Sequence, residues 1–371
     1  MKTFAELANP GVKNLAIYEP GRPIEEVARE MGFESADDVI KLASNENALG
    51  PSPLALKAMR EHANRMHLYP DGGAFYLRRA LAGKLSVEPD QILPGHGSNE
   101  LIELIGHAFL NPSCGIVMAD RAFVVYRLVA MSFGARVVAA PMRNFTHDLD
   151  AMLAAIRPDT KIVFIGNPNN PTSTMVGAEA IERFMARVPE DVIVCFDEAY
   201  IELLPPDAQP DCLRYVREQR NVIVLRTFSK TYGLAGLRVG YAVAPPPCLE
   251  LLNRVRQPFN VNAMALAAAE AALADDEHVA RTRRMVHDGI AYLQRAFARM
   301  GLEYVPATAN FILVKVGSGR EVFDLLLREG VIVRPMDPYG LPDYLRITVG
   351  TEAENTKCVE ALQLVLTLKH G

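Results

Sequence analysis

Short apolar runs alternate with helically spaced stretches through the middle of this chain, and that alternation predicts a layered architecture. Residues 116–118, 137–140, 162–165, 192–196, 221–225 and 239–244 are runs rich in valine and isoleucine. They read as buried strands. Between the first four lie stretches with helical spacing of apolar residues, 124–133, 148–156 and 178–188, the first closed by Gly134. Such alternation implies an α/β fold whose mostly parallel sheet is covered by helices on both faces.

Upstream, Ser52 followed by Pro53 marks the start of a helix running through Met59, Ala63 and Met66, and Leu77, Leu81 and Leu85 mark a second. Gly95-His96-Gly97-Ser98-Asn99-Glu100 then precedes an apolar helix, 101–110, with Ser98 as the expected N-cap. Downstream comes an alanine-rich helix, 263–274, and a long one from Asp275 to Met300. The rest changes character: a strand at 311–316, a Ser318/Glu321 capping box opening a helix to 329, strands at 331–333 and 344–349, and a Thr351/Glu354 box opening the last helix. That is a small α+β domain. Residues 1–50 hold Pro10-Gly11, Pro20-Gly21, Pro23 and one short helix, 24–31, and carry no core of their own. The expected division is an N-terminal arm at 1–50, a large α/β domain at 51–275 and the small domain at 276–371. The arm must pack on the other domain or on a second subunit.

Composition narrows the class. A chain of 371 residues that is 50% hydrophobic can bury cores for about two domains. Its 39 basic and 44 acidic residues are mixed along the sequence, which argues against nucleic acid as a partner. Five scattered cysteines, none in a C-x-x-C spacing, read as structural thiols of a reducing compartment, and no metal site is expected. The first residues lack an apolar leader and no run of about 18 apolar residues occurs, so the expected location is the cytoplasm.

The chemistry gathers where strands end. Lys230 follows the run 221–225, with Ser229 before it and Arg238 after it. A lysine at the carboxyl edge of an open sheet can meet a ligand and, losing its proton there, attack an aldehyde. A hydroxyl and a guanidinium suit a phosphate dianion. An aldehyde bearing a phosphate describes pyridoxal 5'-phosphate, although a lone loop lysine is more often a solvated side chain. Asp197 ends an apolar run and needs a cationic or hydrogen-bonding partner, which a pyridinium N–H would supply. Asn170 before Pro171 also reads as a turn former, and Asp197 as a helix cap. The glycines before Ser98 leave backbone N–H groups aimed at one point, a phosphate cradle or simply a helix start. Arg334 and Arg346 flank the loop 335–340 and make either exposed strand residues or an anion site.

Lysine after one strand, Asp197 with Tyr200 after another, Asn170 after a third and a glycine turn before a helix resemble the fold type I pyridoxal-phosphate aminotransferases over nearly the whole chain. The segments 44–47, 69–71, 167–172, 226–230 and 345–351, with the arm 18–26, are similar to the histidinol-phosphate aminotransferase family within them. Aromatic aminotransferases and threonine-phosphate decarboxylase share much of the pattern. The resemblance implies that Lys230 binds the cofactor aldehyde covalently and later moves the substrate proton, and that Asp197 keeps the pyridine nitrogen protonated. It implies that Tyr200 and Asn170 hydrogen-bond the ring's phenolic oxygen, and that Phe123 stacks on the ring. Ser98, Asn99, Ser229, Arg238 and Tyr69 of a neighbouring subunit would hold the phosphate, which implies a homodimer. Arg346 would take the carboxylate of glutamate, and with Arg334, Tyr18 and Asn47 the phosphorylated substrate. Ala48 and Ser173 depart from the family, which carries proline and glycine there.

Overall fold

Seven strands form the central sheet of this computed structural model, which describes residues 1–13, 15–17 and 20–370. In chain order they are β1 (Ile92–Gly95), β2 (Gly115–Ala119), β3 (Arg136–Ala140), β4 (Thr160–Gly166), β5 (Ile193–Asp197), β6 (Val222–Thr227) and β7 (Gly240–Val243). They lie in the order β1-β7-β6-β5-β4-β2-β3, and only β7 runs antiparallel to its neighbours. The apolar runs are continuous because both faces are buried. Val117, Val163, Val194 and Val224 enter one core, while Ile116, Ile162, Cys195 and Ile223 enter the other. Each such side chain contributes about 1.5–3 kcal/mol on burial.

The run 239–244 is therefore a strand, but the reversed one. The sequence gives no strand signal at β1, where Pro94 and Gly95 interrupt it; Pro94 lacks an N–H and is tolerated because β1 is an edge. Helix α1 (Gly97–Phe109) follows it directly. This helix begins two residues before the expected position: His96 is its N-cap, and Ser98 is its second residue rather than its cap.

A second sheet, β8 (Tyr304–Val305), β9 (Phe311–Lys315), β10 (Arg334–Pro335) and β11 (Tyr344–Thr348), is antiparallel in the order β8-β9-β11-β10. The predicted strand 331–333 is split. Val331 and Ile332 pair with Ile40 and Lys41, whereas Arg334 and Pro335 pair with β11. Val27, Ala28 and Leu42 join Phe297, Ile312, Leu326 and Ile347 in one core, so the second half of the arm packs into the small α+β unit. The Thr351/Glu354 box forms, with Thr351 N–H donating to Glu354 Oε2 at 2.7 Å and Glu354 N–H donating to Thr351 Oγ1 at 3.3 Å. Ser318 caps no helix N–H; Glu321 pairs instead with Lys369 at 2.8 Å.

Candidate functional site

The carboxyl ends of β4, β5 and β6 open into a cavity of about 330 Å3 that the small unit closes from above. Lys230, Asp197, Tyr200, Asn170, Ser229 and Arg238 all line it, and so do Ser98, Asn99, Phe123, Arg334 and Arg346. The parallel strands β2, β4, β5 and β6 bring Phe123, Asn170, Asp197 with Tyr200, and Ser229 with Lys230 and Arg238 to one edge from four stretches of sequence, and Ser98 with Asn99, Arg334 and Arg346 come from three more. Lys230 Nζ donates to the Ser44 carbonyl at 3.1 Å and sits 5.7 Å from the centre of the Tyr200 ring. Burial, with the Arg346 guanidinium adding to it, holds the lysine down at about 8 from its usual 10.5. An amine so placed supplies a neutral, nucleophilic fraction near neutral pH.

Asp197 faces the same space. Its Oδ2 accepts from Tyr126 Oη at 2.7 Å, and its Oδ1 accepts from the Ala199 N–H at 3.3 Å. Burial pushes this carboxyl up to about 6. An acid whose folded pKa exceeds its unfolded value weakens the fold once ionised; the penalty is absent below about pH 4 and complete above about pH 6. Relative to wild type, cofactor-free Asp197→Asn should therefore gain stability as pH rises through that window, by up to ~3 kcal/mol. Urea denaturation at pH 4.5 and 7.5 measures this. Glu202, pushed up to about 7 by burial, titrates in both proteins and cancels in the difference. A stability difference that stays flat between the two pH values would rule out burial as the cause.

Two further bonds organise the walls. Tyr200 Oη accepts from Asn45 Nδ2 at 2.9 Å, and Asn170 Oδ1 accepts from Arg346 Nη1 at 2.6 Å. Arg346 Nη2 also donates to the Ala43 carbonyl at 2.6 Å. Behind the site, Arg226 Nε and Nη2 hold Glu198 Oε2 at 2.9 and 2.8 Å, a buried pair that ties the end of β5 to the end of β6.

The opposite end of the cavity is built for an anion. Ser98 and Asn99 lie in the first turn of α1, whose leading N–H groups have no partner within the helix and carry the positive end of its dipole. Arg238 Nη1 donates to Ser229 Oγ at 3.3 Å and to the Ala235 carbonyl at 3.1 Å. Only glycine fits between these groups. A Cβ on Gly97 would stand 2.6 Å from Arg238 Nη2, and one on Gly240 would stand 2.9 Å from the Ser98 nitrogen. Anion donors at one end, a buried carboxylate at another and a neutralisable lysine between them fit pyridoxal 5'-phosphate.

Two residues of the predicted set, Asn47 and Tyr69, do not line this cavity. Asn47 Nδ2 donates to the Thr231 carbonyl at 2.9 Å and to Thr282 Oγ1 at 3.0 Å, which braces the loop after Lys230 against the long helix that carries Thr282. Tyr69 is 84% exposed and stacks on Phe259 at 4.8 Å. Tyr18 lies outside the described residues. Sequence reasoning in turn missed Tyr126 and Asn45. The first was legible as the residue one helical turn after Phe123; the second belongs to the polar cluster 44–47. Ser173, at a usual glycine, has φ of 62°, and its Oγ accepts from the Ala309 N–H at 2.9 Å. That bond to the small unit offsets the strain of a left-handed residue.

The family model for aminotransferase class I and II matches residues 37–362. The chain belongs to that family. Among its relatives, histidinol-phosphate aminotransferase of Akkermansia muciniphila is 53% identical over 365 residues, covering 98% of this chain and 100% of that protein. The Moorella thermoacetica protein of the same name is 50% identical, covering 94% and 90%. Among solved aminotransferases, the crystal structure of histidinol-phosphate aminotransferase from Sinorhizobium meliloti in complex with pyridoxal-5'-phosphate superposes with a TM-score of 0.89 at 29% identity, covering 98% of both chains. Aspartate aminotransferase from Thermus thermophilus shares the fold, with a TM-score of 0.80 at 22% identity over 93% and 97%.

Proposed function

We propose that this chain is a pyridoxal-phosphate-dependent aminotransferase that makes histidinol phosphate from imidazole acetol phosphate, with glutamate as amino donor and 2-oxoglutarate as product. The observation that carries the reading is similarity along the whole length to proteins of that name, on a cavity that joins Lys230 to two arginines. The cofactor, when bound, offers an aldehyde to the amine and a ring that takes up the electron pair left as the α-proton departs.

The chain's own residues do the rest. Lys230, free of its proton for part of the time, would be the base that takes the α-proton and delivers it to the cofactor's former aldehyde carbon, two atoms along. Asp197 would stay ionised against a protonated ring nitrogen, while Tyr200 and Asn170 would hydrogen-bond the ring oxygen and Phe123 would cover the ring. Ser98, Asn99, Ser229 and Arg238 hold the cofactor phosphate. Arg346 and Arg334 take the substrate anions; a guanidinium fork serves carboxylate and phosphate alike, as two dissimilar substrates sharing one pocket require. The Arg346 bond to Asn170 would couple the residue that takes the substrate anion to the one that faces the cofactor's ring oxygen.

Exposed Tyr69 stands near exposed Leu68, Phe75 and Tyr76, and we infer a homodimer in which this face meets a second copy and Tyr69 reaches its phosphate. Sedimentation should give a dimer; a fully active monomer would contradict it. The five cysteines are free thiols, in keeping with a cytoplasmic location, and no helix among the described residues is long and apolar enough to cross a membrane. Turnover decides the substrate. With 2-oxoglutarate as acceptor, kcat/KM for histidinol phosphate should exceed that for phenylalanine by roughly 10²-fold or more, since only the phosphate ester gives the second arginine a partner. The reverse preference would assign an aromatic aminotransferase instead, and release of carbon dioxide from threonine phosphate a decarboxylase.

A further inference from the structure

Of the residues around the site, Tyr126 is the one whose position demands a role the reaction scheme does not give it. It projects from helix α2 (Val124–Ser132) and is almost wholly buried, at 1% exposure. Its ring lies flat on Phe164 of β4, with centroids 4.7 Å apart and planes 5° apart, and meets Phe123 edge-on at 5.7 Å. Those contacts leave its hydroxyl one direction, and there it donates to Asp197 Oδ2 at 2.7 Å. Among the described residues, the other oxygen of Asp197 has only the longer contact from the Ala199 N–H.

From this geometry we infer that Tyr126 is a positioning residue. Its hydroxyl holds the Asp197 carboxylate ionised and aimed at the cofactor's ring nitrogen, so that it controls how tightly the cofactor is held. The inference rests on the reading that pyridoxal 5'-phosphate occupies the cavity. Two physical facts support it. First, a carboxylate taken out of water needs donors, and a short phenol bond is the strongest one here; it opposes the desolvation that would otherwise keep the proton on Asp197. Second, burial raises the phenol's own pKa well above its usual value, so Tyr126 remains the donor and Asp197 the acceptor. The remaining titratable groups that bear on Asp197 are Lys230, which favours its charge, and Glu198, which opposes it, with the thiol of Cys195 and the phenol of Tyr200 nearby.

Tyr126→Phe removes one hydroxyl and keeps the stacked ring, which separates the hydrogen bond from the packing. The chain contains no tryptophan, so equilibrium dialysis of cofactor-free protein against pyridoxal 5'-phosphate is the suitable readout. At pH 7.5 the dissociation constant should rise roughly tenfold, and on acidification the affinity should fall away about one pH unit earlier than in wild type, as expected for a carboxylate that has lost a charge-assisted bond. In an Asp197→Asn background the same change should add less than about twofold, because a neutral amide has no charge for the phenol to stabilise. Should the phenylalanine variant not fold, Tyr126→His, which keeps a ring N–H, should stay within about threefold of wild type while Tyr126→Leu loses about tenfold or more. Unchanged affinity and pH dependence in Tyr126→Phe would overturn the inference, as would an equal loss in the Asp197→Asn background, which would make the effect one of packing. Wild-type protein that fails to bind the cofactor would instead overturn the functional reading itself.

Discussion

Replacing Lys230 with alanine should lower turnover of histidinol phosphate with 2-oxoglutarate by roughly 10⁴-fold or more, the upper range for removal of a positioned acid–base group. The effect should be this large because no second base stands ready. Among the other described residues lining the cavity, Glu46 is paired with Lys41 Nζ at 3.1 Å, Tyr200 is raised to about 12, and Asp197 is proposed to face the ring nitrogen. Lys230→Arg should be equally inactive, since a guanidinium keeps the charge but cannot give up its proton. Folding should survive. The wild-type ammonium is desolvated, so its penalty is greatest below about pH 8 and fades as pH rises toward 10.5; removing it leaves cofactor-free protein at least as stable at pH 7. Turnover within about tenfold of wild type, in protein with an unchanged thermal midpoint, would remove Lys230 from the chemistry.

The second large effect belongs to Arg346. Its alanine variant should lose roughly 10²- to 10³-fold in kcat/KM, or about 3–4 kcal/mol, for glutamate and for histidinol phosphate alike. On the proposed reading both substrates would present their anion to the same buried fork, which the Asn170 amide and the Ala43 carbonyl hold in place. Lysine at this position should recover little, because a point charge cannot grip two oxygens and Asn170 at once. Arg334 sits on the adjacent strand, directly paired with Arg346, and is half-buried. Its loss should penalise histidinol phosphate more than glutamate if it serves the phosphate. Steady-state kinetics on both substrates reads the split, and an Arg346→Ala enzyme with normal kcat/KM for glutamate would refute its assignment.

How far the sequence alone reaches is clearest at particular residues. The strands leading to Asn170, Asp197 and Lys230 were legible because a sheet buried on both faces demands continuous apolar runs, and they end at Gly166, Asp197 and Thr227, which line the cavity, with Asn170 and Lys230 in the loops just beyond. β1 was not legible, since Pro94 and Gly95 are strand residues only by virtue of the edge they occupy. The break between Ile332 and Arg334 depends on a partner strand nearly 300 residues away, Ile40–Lys41, which no local pattern reveals. Within the cluster 44–47 the pattern did not single out Asn45, for a backbone reason. Asn45 adopts φ of 54°, which turns the chain so that Asn45 meets Tyr200 while Asn47 braces Thr231 and Thr282. Tyr126 escaped because its hydrogen bond spans two elements separated by 71 positions, although its helical spacing from Phe123 placed it on the correct face.

The central claim is that Lys230 carries the cofactor. The direct measurement is borohydride reduction of protein loaded with pyridoxal 5'-phosphate, followed by peptide mapping by mass spectrometry. The account predicts a single stable pyridoxyl adduct on the peptide containing Lys230, lost when histidinol phosphate is added before the reductant. An adduct confined to another lysine, or no adduct in protein that folds normally, would contradict it.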